Sequence, residues 1–309
     1  MVEPSYIKLY KTGELRKRAV SALSVLESCE LCPRKCGVNR LADERGFCDI
    51  GRLAIVSSFG PHFGEEEPLV GRNGSGTIFI GGCNLKCIFC QNFDISHNHE
   101  GEEASSSKLA SIMLRLQALG CHNINVVTPT HVVPQILEAL LLAIEEGLRL
   151  SLVYNTGGYD RVETLKLLDG VFDIYMPDFK FTDAKLARRF TNAANYPEIA
   201  QEAIKEMYRQ VGDLVIDDGL ASRGLLVRHL VLPAGLAGTE EVSKFLASLS
   251  QNTYVNIMDQ YRPCGRAYSY PPLNRAIASA EFEQAIQLAT QCGLSRLDKL
   301  ETKKFALWL

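Results

Sequence analysis

With 309 residues, 46% of them hydrophobic, the chain can bury one large core with or without a small appendage. A formal net charge of −3 and the lack of a basic run argue against a polyanion-binding surface, so nucleic acid is not an expected partner. No apolar stretch reaches the roughly 18 residues that span a bilayer. The opening Met1-Val2-Glu3-Pro4 lacks the charged and apolar regions of an export signal, so a cytoplasmic location without membrane contact is expected.

In chain order, residues 1–75 read as an extension: a helical stretch, a Cys-rich segment over 29–48, and a loop-rich passage with Gly60, Pro61, Gly64, Pro68, Gly71 and Gly74. Residues 76–309 read as the main domain. Short apolar runs at 77–80, 124–128, 150–155, 172–176, 225–232 and 254–258 predict six strands. Helical spacing joins Leu109, Ile112, Met113 and Leu116, with serines 105–107 as caps and Gly120 as a stop. The same spacing recurs at Ile136, Leu137, Leu140, Leu141 and Ile144; at Ile199, Ala203, Ile204 and Met207; and at Val242, Phe245, Leu246 and Leu249. Consecutive parallel strands need helical crossovers, so this α/β alternation predicts a parallel sheet. A partial (β/α)6 TIM-type barrel with an N-terminal Cys-rich extension is the expected fold, and an open doubly wound sheet competes with it.

Seven of the ten cysteines fall in two tight clusters, which in a reducing compartment points to metal rather than disulfides. Cys121, Cys264 and Cys292 are scattered and read as inert thiols. The first cluster follows the first strand: Gly81-Gly82-Cys83-Asn84-Leu85-Lys86-Cys87-Ile88-Phe89-Cys90-Gln91-Asn92. Three soft thiolates fit three corners of an iron–sulfur cube and leave the fourth iron open, as a catalytic metal requires. The preceding glycines allow close backbone approach.

This C-x3-C-x-aromatic-C loop resembles that of the radical S-adenosylmethionine (SAM) superfamily. The resemblance implies a 4Fe–4S cluster on Cys83, Cys87 and Cys90. It also implies reductive cleavage of SAM to a 5′-deoxyadenosyl radical, and contacts to SAM from Phe89 and Asn92. Over residues 76–262 the chain looks most like the glycyl-radical-enzyme activases, such as the pyruvate formate-lyase activating enzyme. Thr128-Pro129-Thr130 stands where many relatives carry a Gly-Gly-Glu turn against the SAM amino group. Tyr154-Asn155-Thr156-Gly157 resembles the activases' Asp-Thr-Asn-Gly, and Met176-Pro177-Asp178-Phe179-Lys180 their Met-Leu-Asp-Leu-Lys. By that likeness Asn155, Thr156, Met176 and Asp178 would hold a monovalent cation beside the SAM carboxylate, with Lys180 paired to that carboxylate. Asn155 replaces an aspartate, which removes one charge from the cation site. Val227-Arg228-His229-Leu230 resembles the family's Ile-Arg-Tyr-Val and makes Arg228 a candidate for SAM or substrate contact, and Gln260 or Tyr261 is expected near the reaction chamber.

The second cluster, Cys29, Cys32, Cys36 and Cys48, supplies four thiolates that could saturate either zinc or a second 4Fe–4S cluster. Arg34, Lys35 and Arg45 are expected to stabilise these thiolates. The segment is similar to the N-terminal part of an uncharacterised activase-like subgroup that also reads Cys-Pro-Arg-x-Cys-Gly-Val-Asn-Arg. His97 and His99 in an acidic stretch read as a solvated loop rather than a metal site, and His62 as a residue of the barrel mouth. The leading function is radical SAM hydrogen abstraction, extended by the resemblance to a glycyl radical on a partner enzyme, with a flavodoxin- or ferredoxin-type reductant. A small molecule or another protein residue is the alternative substrate. A non-catalytic iron–sulfur or zinc scaffold is the alternative of a different class.

Overall fold

The structure, a computed structural model, describes residues 3–298; the end of the expected main domain, 299–309, lies outside the described residues. Among the described residues nine strands form: β1 (Ala54–His62), β2 (Ser75–Ile80), β3 (Glu102–Ala104), β4 (Asn123–Val127), β5 (Ser151–Thr156), β6 (Ile174–Pro177), β7 (Val215–Asp217), β8 (Leu220–Leu230) and β9 (Tyr254–Met258). The helices are α1 (Tyr6–Lys11), α2 (Glu14–Ser24), α3 (Glu67–Val70), α4 (Phe93–His97), α5 (Ser106–Ala118), α6 (Val133–Glu145), α7 (Val162–Leu167), α8 (Ala184–Thr191), α9 (Tyr196–Val211), α10 (Thr239–Leu249) and α11 (Ser279–Gln291).

The six predicted strands are β2, β4, β5, β6, β8 and β9. They lie side by side and parallel in sequence order, β2-β4-β5-β6-β8-β9. A doubly wound sheet would reverse its order at a switch point; this one does not, so the partial barrel holds. Successive side chains of a strand point to opposite faces, and the two faces separate cleanly. Ile78, Ile124, Val126, Leu152, Val227 and Val255 join the large core under the helices. Val153, Ile174, Met176 and Leu226 form a small cluster inside the barrel. Leu69 of α3 belongs to that inner cluster, so the short helix between β1 and β2 plugs the floor of the lumen. Asn256 of β9 donates to Glu66 Oε1 at 2.8 Å and ties the plug in place.

The predicted helices appear as α5, α6, α9 and α10. Ser105 caps α5, its Oγ accepting from Lys108 N at 3.2 Å. Two features differ from expectation. The boundary at 75/76 falls inside a hairpin, because β1 pairs antiparallel with β2 and carries β3 on its other edge. Leu15, Ala19 and Ala22 of α2 join the main core, and Tyr6 donates its hydroxyl to Leu150 O at 2.9 Å. Gly60-Pro61 made β1 read as loop; there the strand pairs with β2 alone, and a free edge tolerates proline. His62 also differs. It pairs with Ser75 at the start of β2, so it stands at the floor, opposite the cysteine loop.

Candidate active site at the carboxyl ends of the strands

β2 ends at Ile80 and the chain turns at once through Gly81 and Gly82. Gly82 sits at φ 76°, and a Cβ there would lie 2.6 Å from the Cys48 carbonyl oxygen, so only glycine fits. Backbone and hydroxyl donors then surround the thiols. Leu85 N–H lies 3.3 Å from Cys83 Sγ, Ser96 Oγ lies 3.2 Å from Cys90 Sγ, and Asn92 N–H also points at Cys90. Burial pushes the Cys87 and Cys90 thiols up from their ordinary range. The neighbouring cysteines add to this, and Lys180 opposes it at both. Such thiols ionise when a metal supplies the positive charge.

Lys180 comes from the far side of the lumen. Its Nζ pairs with Asp178 Oδ2, Arg228 Nε donates to Asp178 Oδ1 at 2.7 Å, and Arg228 Nη2 donates to Asn155 Oδ1 at 2.7 Å. Burial works against the Lys180 charge, yet Asp178 and Cys87 hold its pKa above the ordinary value. Burial likewise opposes the Asp178 charge, and Arg228 and Lys180 overcome it, so its carboxyl stays below the usual range. Tyr196 clamps the strand ends: its hydroxyl accepts from Lys180 N–H at 2.9 Å and reaches the carbonyls of Asp178 and Gly157. Gly157 in turn lies against Leu85 of the cysteine loop.

The other expected residues divide. Phe89 is buried edge-on to Phe181 and Tyr261, and Gln91 donates to the Gln260 carbonyl, so Gln260 and Tyr261 do flank the loop. Thr128 takes φ 63°, a left-handed conformation unusual for a β-branched residue, and donates its N–H to Asn155 O; it keeps the geometry of a glycine turn without the glycine. Met176 packs its side chain in the inner cluster. Thr156 points away from the lumen, bonded to Thr130 Oγ1 at 3.0 Å and Asp160 Oδ2 at 2.7 Å, because it stands one residue on from Asn155. Asn92 is exposed and meets the site through its backbone alone.

Residues 77–217 match the family model described as the Radical SAM superfamily. Across 298 residues the chain is 34% identical to the uncharacterized protein MJ0674 of Methanocaldococcus jannaschii, covering 93% of this chain and 82% of that one. The chain belongs to the radical SAM superfamily. A second M. jannaschii protein, the uncharacterized MJ0808, is 27% identical over 163 residues, 45% of this chain and 46% of its own length. Among solved structures, the radical SAM methyltransferase TsrM of Kitasatospora setae, with cobalamin and a [4Fe-4S] cluster bound, superposes with a TM-score of 0.44. That match has 14% identity and covers 60% of this chain and 36% of TsrM.

The cofactors of this radical SAM chain are a 4Fe–4S cluster and SAM. The residues fit both. Cys83, Cys87 and Cys90 are three thiols on one loop, N–H and O–H donors are already aimed at Cys83 and Cys90, and Lys180 lies within electrostatic reach of Cys87 and Cys90. Inside the lumen both side-chain polar atoms of Asn125 on β4 are buried without a partner, as in a chamber lined for a polar guest. The charge that a monovalent cation would bring to Asn155 and Asp178 is already supplied by Arg228 and Lys180.

The four N-terminal cysteines also come together, lining one cavity with Arg40 and His131. Arg34 lines the cavity and turns its backbone N–H to Cys32, but the guanidinium that reaches a thiol is not one of those expected. Arg34 turns to the carbonyls of Asn84, Thr191 and Asn192, Arg45 pairs with Asp43 and Glu103, and Lys35 is exposed. Arg40 is buried, with Nη1 3.9 Å from Cys29 Sγ and 2.8 Å from His131 O. His97 stacks on Phe93 and hydrogen-bonds Ser96 Oγ at 2.8 Å, the hydroxyl that meets Cys90, and His99 lies 3.4 Å from Asp49 and against the Cys48 backbone. Arg40, His131 and Glu66 went unread in the sequence because each acts on a partner far along the chain, and Ser96 because a serine six residues past a cysteine carries no pattern of its own. No helix of the described residues is long and apolar enough to cross a membrane.

Proposed function

We propose that this chain reductively cleaves SAM and directs the 5′-deoxyadenosyl radical to the α-carbon of a glycine in a partner protein, leaving a glycyl radical. One observation carries the reading. Asn155, Asp178, Lys180 and Arg228, from three strand ends that resemble those of the activases, meet in the lumen beside Cys87. The cluster, when bound, supplies one electron drawn from a flavodoxin- or ferredoxin-type donor. With that electron the carbon–sulfur bond of SAM would break to methionine and a 5′-deoxyadenosyl group, which would take one hydrogen atom from the substrate and leave as 5′-deoxyadenosine. Lys180 offers its ammonium to the SAM carboxylate, while Asp178 holds that ammonium in place and charged and Arg228 fixes the Asp178 carboxylate. Tyr196 ties the loop that carries it to Gly157 after β5.

The test is anaerobic reconstitution with iron and sulfide, followed by dithionite and SAM. Release of 5′-deoxyadenosine, lost in a Cys83→Ala/Cys87→Ala/Cys90→Ala variant, is the expected result; persistence in that variant overturns the site. Electron paramagnetic resonance on a glycyl radical protein incubated with the reconstituted chain, SAM and dithionite tests the substrate. A glycyl doublet is expected, and cleavage without one moves the assignment to a small molecule or another residue.

A further inference from the structure

The N-terminal cysteines show a built site that the radical chemistry leaves unused. Cys29, Cys32 and Cys36 are spaced three and four residues apart, and Cys83, Cys87 and Cys90 four and three, so each set spans eight residues. Both sets also present backbone N–H groups two residues beyond a cysteine. Leu85 serves Cys83 and Asn92 serves Cys90 in one set; Arg34 serves Cys32 and Ile50 serves Cys48 in the other. Phe47 N–H adds a contact of 3.4 Å to Cys36 Sγ. The N-terminal set differs in having Cys48 to close the fourth corner.

The spread of the four thiols and the wall around them bear on the kind of metal. Four thiolates on one zinc ion at about 2.3 Å stand roughly 3.8 Å apart and leave nothing between them. Here the four cysteines line a void of about 10 Å³ and do not close on one another. Among the described residues no three His, Cys, Asp or Glu side chains converge tightly enough for a single ion. That holds equally for Cys83, Cys87 and Cys90, whose cofactor is a four-iron cube. The wall carries a second sign of an anionic guest: Arg40 is 1% exposed, lines the cavity, and its Nη2 is buried with no partner. An unpaired buried guanidinium nitrogen is costly, and the sulfides of a cluster would accept its hydrogen.

Three contacts place this cavity against the first cysteine loop. The Cys48 carbonyl lies against Gly82, next to Cys83. His131, on the cavity wall, hydrogen-bonds through Nε2 to Gly81 O at 2.8 Å. Arg34, between Cys32 and Cys36, donates from Nε to Asn84 O at 2.8 Å. We infer that Cys29, Cys32, Cys36 and Cys48 hold a second 4Fe–4S cluster, fully ligated by protein and seated beside the first, through which one electron from the external donor protein passes to the SAM-binding cluster. The cluster itself stands apart from the function proposed above; its relay role rests on that function.

Iron, zinc and acid-labile sulfide are measured on the full-length chain, purified and reconstituted without oxygen. About eight irons and eight sulfides are expected, with about four of each in Cys29→Ala/Cys32→Ala. The Cys83→Ala/Cys87→Ala/Cys90→Ala variant, in which the N-terminal site is untouched, should also keep about four. That arm decides the matter if the first variant fails to fold. It is also independent of SAM cleavage, whose loss or absence would strike the proposed function alone. One zinc with four irons overturns the inference, as do six irons, or an iron content that the first variant leaves unchanged. Paramagnetic resonance of the fully reduced protein tests adjacency. Two magnetically coupled clusters, uncoupled in either variant, are expected, and two independent signals in the wild type overturn the relay.

Discussion

The two cysteine loops use nearly the same local chemistry and end in different places. One offers three thiols at the mouth of a lumen, facing Lys180, Asp178 and Arg228. The other offers four thiols around a walled cavity whose nearest charge, Arg40, is buried and held by backbone carbonyls. Ligand count and surroundings agree in both. A missing corner goes with charged side chains that can seat a substrate, and a complete set goes with a wall that admits none. If both loops hold clusters as proposed, reactivity is set less by ligand type than by which loop leaves a position open.

The largest effect that could break the comparison is on chemistry. Cys87→Ala should reduce SAM-dependent 5′-deoxyadenosine formation to background, because three corners are the minimum that holds the cube while leaving one iron free. Chromatography of quenched anaerobic reactions reads this directly. Activity near wild type would mean the open corner lies elsewhere.

The lumen of the open loop has a floor with its own electrostatics. Burial pushes the Glu66 carboxyl up to about 7, Glu65 adding to the rise and Arg228 and Asn256 opposing it. An unfolded glutamate titrates near 4.3, so between about pH 4.3 and 7 the folded chain holds a proton that the unfolded chain has released. Stability from this group is full below the unfolded value and falls as pH rises through that window. Glu66→Gln cannot ionise and should gain on the wild type by on the order of 3 kcal/mol from pH 4 to 8. Thermal melts of both proteins at the two pH values measure the gap, and a constant gap would show Glu66 ionised at no cost.

What the sequence made legible follows a simple physical division. The six parallel strands and both cysteine sets are local patterns, and Asp178 and Lys180 stand two residues apart in one strand-end turn. All of these could be read within a few residues. Arg40 reaching the carbonyl of His131, or Gly82 making room for Cys48, are relations between distant segments that only folding creates. Thr156 shows the limit of carrying a motif across. Its neighbour Asn155 faces the lumen, and the two-residue period of a strand turns Thr156 to the opposite face. Gly60-Pro61 hid β1 because turn residues on a free edge look the same as turn residues in a loop.

A smaller effect separates the loops by charge. Lys180→Ala should weaken SAM binding by about 1–3 kcal/mol, the range for a charge-assisted hydrogen bond, with iron content unchanged. Isothermal titration on reconstituted protein gives both numbers. Full affinity in Lys180→Ala and in Asp178→Ala would detach these residues from SAM and leave them as a structural ion pair.

The smallest effect sharpens the likeness itself. Each loop places a lysine with left-handed backbone just before a cysteine, Lys35 at φ 43° before Cys36 and Lys86 at φ 49° before Cys87. That conformation costs a residue with a Cβ about 1–2 kcal/mol, and glycine relieves it while giving back about 0.5–1 kcal/mol of backbone entropy. Lys35 is exposed, and its N–H bond to Cys32 O at 3.1 Å survives the substitution. Lys35→Gly should therefore stabilise the chain by about 0.5–1 kcal/mol in denaturant titrations. Lys86 also rests its ammonium 5.7 Å from the centre of the Phe47 ring, at the seam between the two loops. Lys86→Gly loses that contact, itself worth about 0.5–1 kcal/mol, and should come out close to neutral. Equal gains in the two variants would show that the Phe47 contact contributes nothing. A loss at Lys35 would show that the side chain, rather than the metal-binding backbone, selects the turn.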